Sequence, residues 1–433
     1  MLYEEARVYL DHVSKYGSVL GLESIKGLLG ELGNPQKDLT FIHIAGTNGK
    51  GSILAYLSGI LTEAGYRTGR YISPTVMAYL ERFQIDGRYM EEEAFAEITC
   101  EVKRAAERLA ERGRPSPTVF EMETAIAFLW FQKQKCDFVV LEAGMGGRLD
   151  ATNIVDTTKL CVFASISMDH IGVLGNTLEE IACDKSGIIK PGARVVTGTQ
   201  KPEVLEILRR AAEEKHCPFF AAEPEAAQVK ESSLEEQRFS YREFADLRIH
   251  LAGVQQIENA VTALAAVRAL RESGVSISDA AVREGLEKAR WRGRFEVLGH
   301  QPLVIADGAH NADAAVRLAQ NVEAYLAGKE ITAVMGVFRD KEYEKIIETM
   351  APYLSFVYTV NLPNGERTLR REELCRELKI HGVAAEAAES PAKALRLAKE
   401  RAGEAGAVLV FGSLSYLGEI IRAAEGKKEV RSW

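Results

Sequence analysis

Residues 41–52 read FIHIAGTNGKGS, an apolar β-type run that passes directly into a loop of three glycines, a lysine and a serine. Glycines let the backbone bend around an anion, successive N–H groups point inward, and the following helix offers its positive end. Lys50 is placed to reach terminal phosphates and Ser52 to hold a divalent cation. The run departs from G-x-x-x-x-G-K-[ST]: Ile44 stands at the first glycine, and Gly51 separates Lys50 from the hydroxyl. A plain glycine-rich turn is the bland account. The joint occurrence of strand, lysine and hydroxyl favours a phosphate cradle.

The rest of the chain alternates β-rich runs with amphipathic helical stretches, the pattern of a parallel sheet flanked by helices. Strands are expected at 41–45, 68–72, 137–142, 160–166 and 193–197. Helices are expected at 52–65, 91–112, 120–134, 177–185 and 202–215, then 256–273 and 277–290. Segment 223–250 reads as a short β excursion. A second series, with strands at 302–306, 331–336, 355–360 and 407–411, reads as a smaller doubly wound domain, and 291–299 as its connector. At 433 residues two or three domains are expected. The fold class is therefore α/β: a P-loop parallel-sheet ATPase domain over 1–296 and a smaller Rossmann-like, doubly wound C-terminal domain over 297–433.

A formal net charge of −8 gives no general attraction to nucleic acid or anionic membranes. The N-terminus lacks an apolar signal core and no run approaches spanning length, so a cytoplasmic protein is expected. Six scattered cysteines without a C-x-x-C pair read as free thiols.

Several strand ends carry chemistry. Glu142 closes an apolar run beside the glycines of GMGG, where Mg²⁺ ligands tend to sit in such sheets. Read alone, GMGG is a weak dinucleotide signal and more simply a tight turn. Arg148 suits either an anion or a surface ion pair. His170 follows the next strand; a lone histidine is commonly structural, but this one shares a sheet edge with Ser52 and Glu142. Thr177 and Glu180 form a capping-box pattern. Lys185, near the end of that helix, either complements the helix dipole or is aimed at phosphate or modified to bind metal. In the second half Asp307 and His310 follow the strand PLVIA and face the expected interdomain cleft, with an N-cap and turn as the plain alternative. GSLSY at 412–416 lacks the spacing of a nucleophile elbow.

Taken in order, GTNGKGS (46–52), SPTVMAYLERFQIDG (73–87), TVFEMETAIAF (118–128), LEAGMGGRLDATN (141–153), MDHIGVLGNTLEEIACDKSGI (168–188), GVQQIEN (253–259), WRGRFE (291–296), DGAHN (307–311) and GSLSYLGE (412–419) resemble the folylpolyglutamate synthase/dihydrofolate synthase family, a branch of the Mur ligase superfamily. The glycine between lysine and serine is typical of that branch. The resemblance implies that Thr47, Asn48, Gly49, Lys50, Gly51 and Ser52 hold ATP phosphates, and that Asn259, Arg294, Asp307 and His310 make further nucleotide contacts. It implies Mg²⁺ at Ser52, Glu142, His170 and Lys185, the last if carbamylated. It gives Lys50, Lys185 and His170 catalytic roles. Segment 73–87, with Ser73, Pro74, Thr75 and Arg82, falls near the pteridine-bearing substrate. Departures stand at Thr75 and Gln255, where the family commonly has histidine, and at Arg292 and Ala312, where proline is usual.

The activity so implied is ATP-dependent addition of L-glutamate to a folate or dihydropteroate carboxylate through an acyl phosphate, by a monomer acting on small molecules. Its rivals are a related ligase with another carboxylate substrate and a nucleotide-binding paralogue without catalysis. A dehydrogenase reading rests on GMGG alone.

Overall fold

The structure, a computed structural model, describes residues 1–14, 21–170, 172–363 and 365–426. Its first sheet has eight strands in the spatial order Arg88–Tyr89, Phe83–Ile85, Thr68–Tyr71, Phe138–Glu142, Phe41–Ala45, Thr158–Phe163, Arg194–Thr197 and Phe219–Ala221. The two strands at the start of that order are antiparallel and the rest parallel. The sheet is covered on both faces, which is why its middle strands read as continuous apolar runs. Ile42, Ile44, Val140 and Val162 pack with the helix Lys50–Glu63, whereas Phe41, Val139 and Leu141 pack with Val119–Lys133. Shortening one such side chain to alanine should cost about 2–5 kcal/mol.

The expected β excursion is an antiparallel three-stranded sheet, Gln228–Ser232, Gln237–Tyr241 and Phe244–Ile249. The second large sheet has six strands, in the order Glu296–His300, Leu303–Ala306, Ala407–Phe411, Ile331–Met335, Phe356–Thr359 and Ala384–Ala387. All pairings are parallel except that of the first strand. The expected connector 291–299 is thus only partly a connector. Its second half is an edge strand, broken by a register shift between Val297 and Gly299. That irregularity hides the period-2 alternation that marks a strand. The expected division between 296 and 297 falls at the strand's first residue. Short strands at 83–85, 88–89 and 384–387 were also not foreseen, being too brief to show a period.

Among the polar side chains buried in the core is a histidine. His43, on the central strand, is fully buried. Its Nε2 faces Thr152 Oγ1 at 2.9 Å, and that hydroxyl donates to Asp150. Nε2 is therefore the protonated nitrogen, and Nδ1 is buried without a partner. Burial, with Lys190 nearby, pushes the imidazole down to about 3 from 6.5. A depressed histidine contributes its full stability above pH 6.5 and loses it as pH falls toward 3. At about 1.4 kcal/mol per pH unit, roughly 2 kcal/mol should disappear between pH 6.5 and pH 5. Urea unfolding at both pH values, with His43→Gln alongside, checks this. The variant should lose about that much less, and equal losses would contradict the assignment.

Candidate active site

Three neighbouring parallel strands, Phe138–Glu142, Phe41–Ala45 and Thr158–Phe163, end at the same edge of the sheet. In register Ile44 lies beside Glu142, and Ala45 beside Phe163. Their carboxyl ends therefore bring together the loop Gly46–Ser52, Glu142 and the segment Ser165–His170, the usual position for a ligand in such a sheet.

The loop is stitched to that segment. The N–H groups of Thr47 and Asn48 donate to Ser165 O at 2.7 and 3.2 Å. Thr47 Oγ1 donates to Ser167 O at 3.0 Å and accepts from Ser167 N at 3.0 Å. The Thr47 hydroxyl thus shapes the loop. Gly49 caps the helix with φ +94°, a left-handed conformation suited to glycine. Gly51 serves a different need: a Cβ there would lie 2.6 Å from three atoms of the Trp291 indole. The residue that breaks the usual motif is the one on which a tryptophan of the connector rests. Overpacking at such a contact costs about 1–3 kcal/mol. Gly51→Ala should displace Trp291 and weaken ATP binding roughly tenfold, read by Trp291 fluorescence; unchanged affinity would show that the indole contact is dispensable.

Lys50 Nζ donates to Gly46 O and Thr47 O at 3.2 and 3.3 Å and stands 3.8 Å from Glu142 Oε1. Lys185, buried, donates to the same Gly46 O at 3.0 Å. Burial, and Lys50 beside it, push Lys185 down to about 7. Glu142 is also buried; this raises its carboxyl, while Lys50, Arg294 and the Ser73 N–H oppose the shift. His170 lines the same cleft with positive φ, 52°.

The second domain closes the cleft. Lys341 Nζ meets Asp169 Oδ1 at 2.6 Å, Asn311 Nδ2 donates to Asp169 Oδ2 at 3.3 Å, and Asn48 Nδ2 donates to Asp313 Oδ2 at 2.8 Å. Lys341 holds the Asp169 carboxyl well below the usual range, against its burial. Asp307 is buried and accepts the N–H groups of Phe295 and Ala309 at 2.8 and 2.7 Å, which pins the connector to the second sheet. His310 Nδ1 bonds Gly308 O at 2.7 Å, so its proton sits there and Nε2 keeps the lone pair; burial lowers it to about 4. Asn259, Arg294, Asp307 and His310 all line the cleft.

Ser73 and Pro74 line it as well. Glu81 Oε2 holds their loop by accepting the N–H groups of Val76 and Met77, each at 2.8 Å. Thr75 and Arg82 are not among the lining residues. Arg82, expected at the substrate, instead pairs with Glu123 in a nearly buried site and stacks on Tyr79 at 4.2 Å. Its segment reaches the cleft but its guanidinium is engaged in holding the loop to the helix beneath. Arg148 is exposed, and GMGG is a turn packed against the end of Leu178–Ser186. Thr177 and Glu180 do form the capping box. Asp169, Lys341, Asp313 and Trp291 were missed. Only Asp169, an acid beside His170 at a strand end, carried a local signal.

Mg²⁺ fits the donors at the loop. Ser52 Oγ and the Glu142 carboxylate are hard oxygen donors at one sheet edge, and His170 lines the same cleft. Among the described residues no three His, Cys, Asp or Glu side chains converge into a cage. That sparse set suits an ion that completes its shell with phosphate oxygens and water. Neither Lys50 nor Lys185 brings an oxygen donor to such an ion.

Two α/β domains meeting over a phosphate loop define a Mur-type ligase. The Mur ligase middle domain matches residues 44–267 and the Mur ligase glutamate ligase domain matches 293–414. The chain belongs to the folylpolyglutamate synthase/dihydrofolate synthase family. It is 35% identical over 430 residues to the dihydrofolate synthase/folylpolyglutamate synthase of Bacillus subtilis, covering 96% of this chain and 98% of the relative. Its fold is similar to the crystal structure of Thermotoga maritima folylpolyglutamate synthase, with TM-score 0.84, 34% identity and coverage of 99% and 98% of the two chains. It is also similar to Escherichia coli FolC in complex with DHPP and ADP, with TM-score 0.86, 32% identity and 98% of each chain covered.

Proposed function

We infer that this chain is an ATP-dependent ligase that joins L-glutamate to the carboxylate of a folate or dihydropteroate. The observation that carries this reading is the pairing of Lys50 and Glu142 at the phosphate loop, in a cleft that the Ser73–Pro74 loop also lines. The names of the relatives, and the ADP and DHPP bound to one of them, support the same substrates.

A carboxylate is a poor electrophile. Its oxygen attacks the γ-phosphorus of ATP, the bond to the bridging oxygen breaks, and ADP leaves. The resulting acyl phosphate is attacked by the amine of glutamate; the C–O bond then breaks, phosphate departs, and the amine loses a proton. Lys50, turning from the carbonyls of Gly46 and Thr47, offsets charge on the transferring phosphoryl group. Ser52 and Glu142, with His170 and a carbamylated Lys185, would hold Mg²⁺, which polarises phosphoryl oxygens when bound. Asn48 with Asp313, and Asp169 with Lys341, hold the domains together and exclude water from the acyl phosphate. Asn259, Arg294 and His310 take the rest of the nucleotide.

Phosphate release tests the reading: it should require L-glutamate and a pterin carboxylate together. Release at full rate with either omitted would point instead to a nucleotide hydrolase.

A further inference from the structure

The loop that brings Ser73 and Pro74 to the cleft is held from both domains. Val76 and Met77, just downstream, give their N–H groups to Glu81 of the first domain, each at 2.8 Å. Their carbonyls face the second domain, at its helix Leu417–Ala424. Arg422, in the last turn of that helix, donates from Nη1 to Met77 O at 3.1 Å. The Val76 carbonyl rests on Gly418: a Cβ built there would lie 2.2 Å from Val76 O. The side chains of Val76 and Met77 pack against the core that contains Leu414, Leu417 and Ile421. Two consecutive residues thus turn their N–H groups to one domain and their carbonyls to the other.

The consequence is felt in the cleft. Ser73, Pro74, Val76 and Glu81 line it together with Leu414 of the second domain, and the Ser73 N–H acts on the Glu142 carboxylate. Residues 73–78 form neither helix nor strand, so contacts of this kind set their course. A hydrogen bond from a guanidinium to a carbonyl is stronger than one between neutral groups. Glycine is a poor helix former; at 418 it admits a backbone carbonyl that any side chain would push away. The run GSLSYLGE, in which Gly418 is the second glycine, thereby gains a physical role.

We propose that Arg422 and Gly418 are positioning residues for the carboxylate substrate: from the second domain they fix the course of the Ser73–Pro74 loop, and so shape the side of the cleft where that substrate is placed. Neither lines the cleft, and both act through Val76 and Met77. The proposal rests on the reading of this cleft as a folate ligase and adds residues that the reaction itself does not call for. It separates the two substrates, because the phosphate loop is held by Ser165 and Ser167 and owes nothing to the last helix.

Steady-state kinetics of the full chain, with the pterin carboxylate and ATP varied in turn, tests it. Arg422→Ala should raise KM for the pterin about tenfold and leave KM for ATP unchanged. Arg422→Lys, which keeps a charged donor, should recover most of that loss. Gly418→Ala should raise the pterin KM at least as much, by displacing Val76 O; if it fails to fold, the arginine variants carry the test. Hydrogen exchange read by mass spectrometry gives a second measure: amides of 72–79 should exchange about tenfold faster in Arg422→Ala, with those of 46–52 unaltered. An unchanged pterin KM in Arg422→Ala would overturn the proposal. So would equal rises in KM for pterin and ATP, which mark a general structural role. A wild type that adds no glutamate to any pterin would instead remove the ligase reading itself.

Discussion

Lys50→Ala should lower kcat by about 10²–10³-fold, the scale on which a single charge-stabilising donor contributes to such a transition state. Lys50 is the cation at the mouth of the phosphate loop that can leave its present partners at little cost, since Gly46 O and Thr47 O are backbone carbonyls 3.2 and 3.3 Å away. Lys185 cannot substitute for it, being buried and tied to Gly46 O. The fold should be indifferent to the change, because Lys50 is the first residue of a helix anchored by Ile53, Leu54 and Leu57. Steady-state kinetics with a thermal melt on the same sample checks both halves. A variant with an unchanged melting temperature and near-normal turnover would remove Lys50 from the phosphoryl-transfer step.

Glu142→Gln should have the second largest effect, again about 10²-fold or more on turnover. The substitution keeps shape and hydrogen bonding but discards a charge. In the folded chain that charge stands 3.8 Å from Lys50 and is opposed by burial. Removing a carboxylate disfavoured by its surroundings should leave stability unchanged or slightly raised, whereas turnover at ordinary Mg²⁺ should collapse. Partial recovery at high Mg²⁺ would place Glu142 at the cation. Wild-type rates at ordinary Mg²⁺ would exclude it.

The legible parts of the site are those whose position is dictated by a strand. The strands before Gly46, Glu142 and Asp307 are apolar runs, interrupted only by His43, that lead into a glycine or a carboxylate, so both their existence and their functional ends are visible in one dimension. Within the sheet, hydrogen-bonded neighbours converge whatever their distance in sequence. What the sequence concealed is contact made by single side chains across the domain seam. Asn48 and Asp313, or Asp169 and Lys341, share no periodicity and no spacing; only the packing of two domains makes them partners. Arg82 illustrates the converse. It lies in a segment that borders the cleft, yet Glu123, in the first turns of a largely apolar helix, draws it inward. The role of Gly51 was half legible. Its place in the loop singled out a branch of the ligases, but the indole that requires it comes from Trp291, far along the chain.

Amide formation between a pterin carboxylate and glutamate at the expense of ATP can be read directly from the product. The chain should be incubated with ATP, Mg²⁺ and L-glutamate, with dihydropteroate or tetrahydrofolate supplied separately, and the pterins examined by mass spectrometry. A product heavier by one or more glutamyl units is expected with at least one of the two pterins, dependent on ATP and lost in Lys50→Ala. ATP consumption with both pterins unchanged in mass would contradict it.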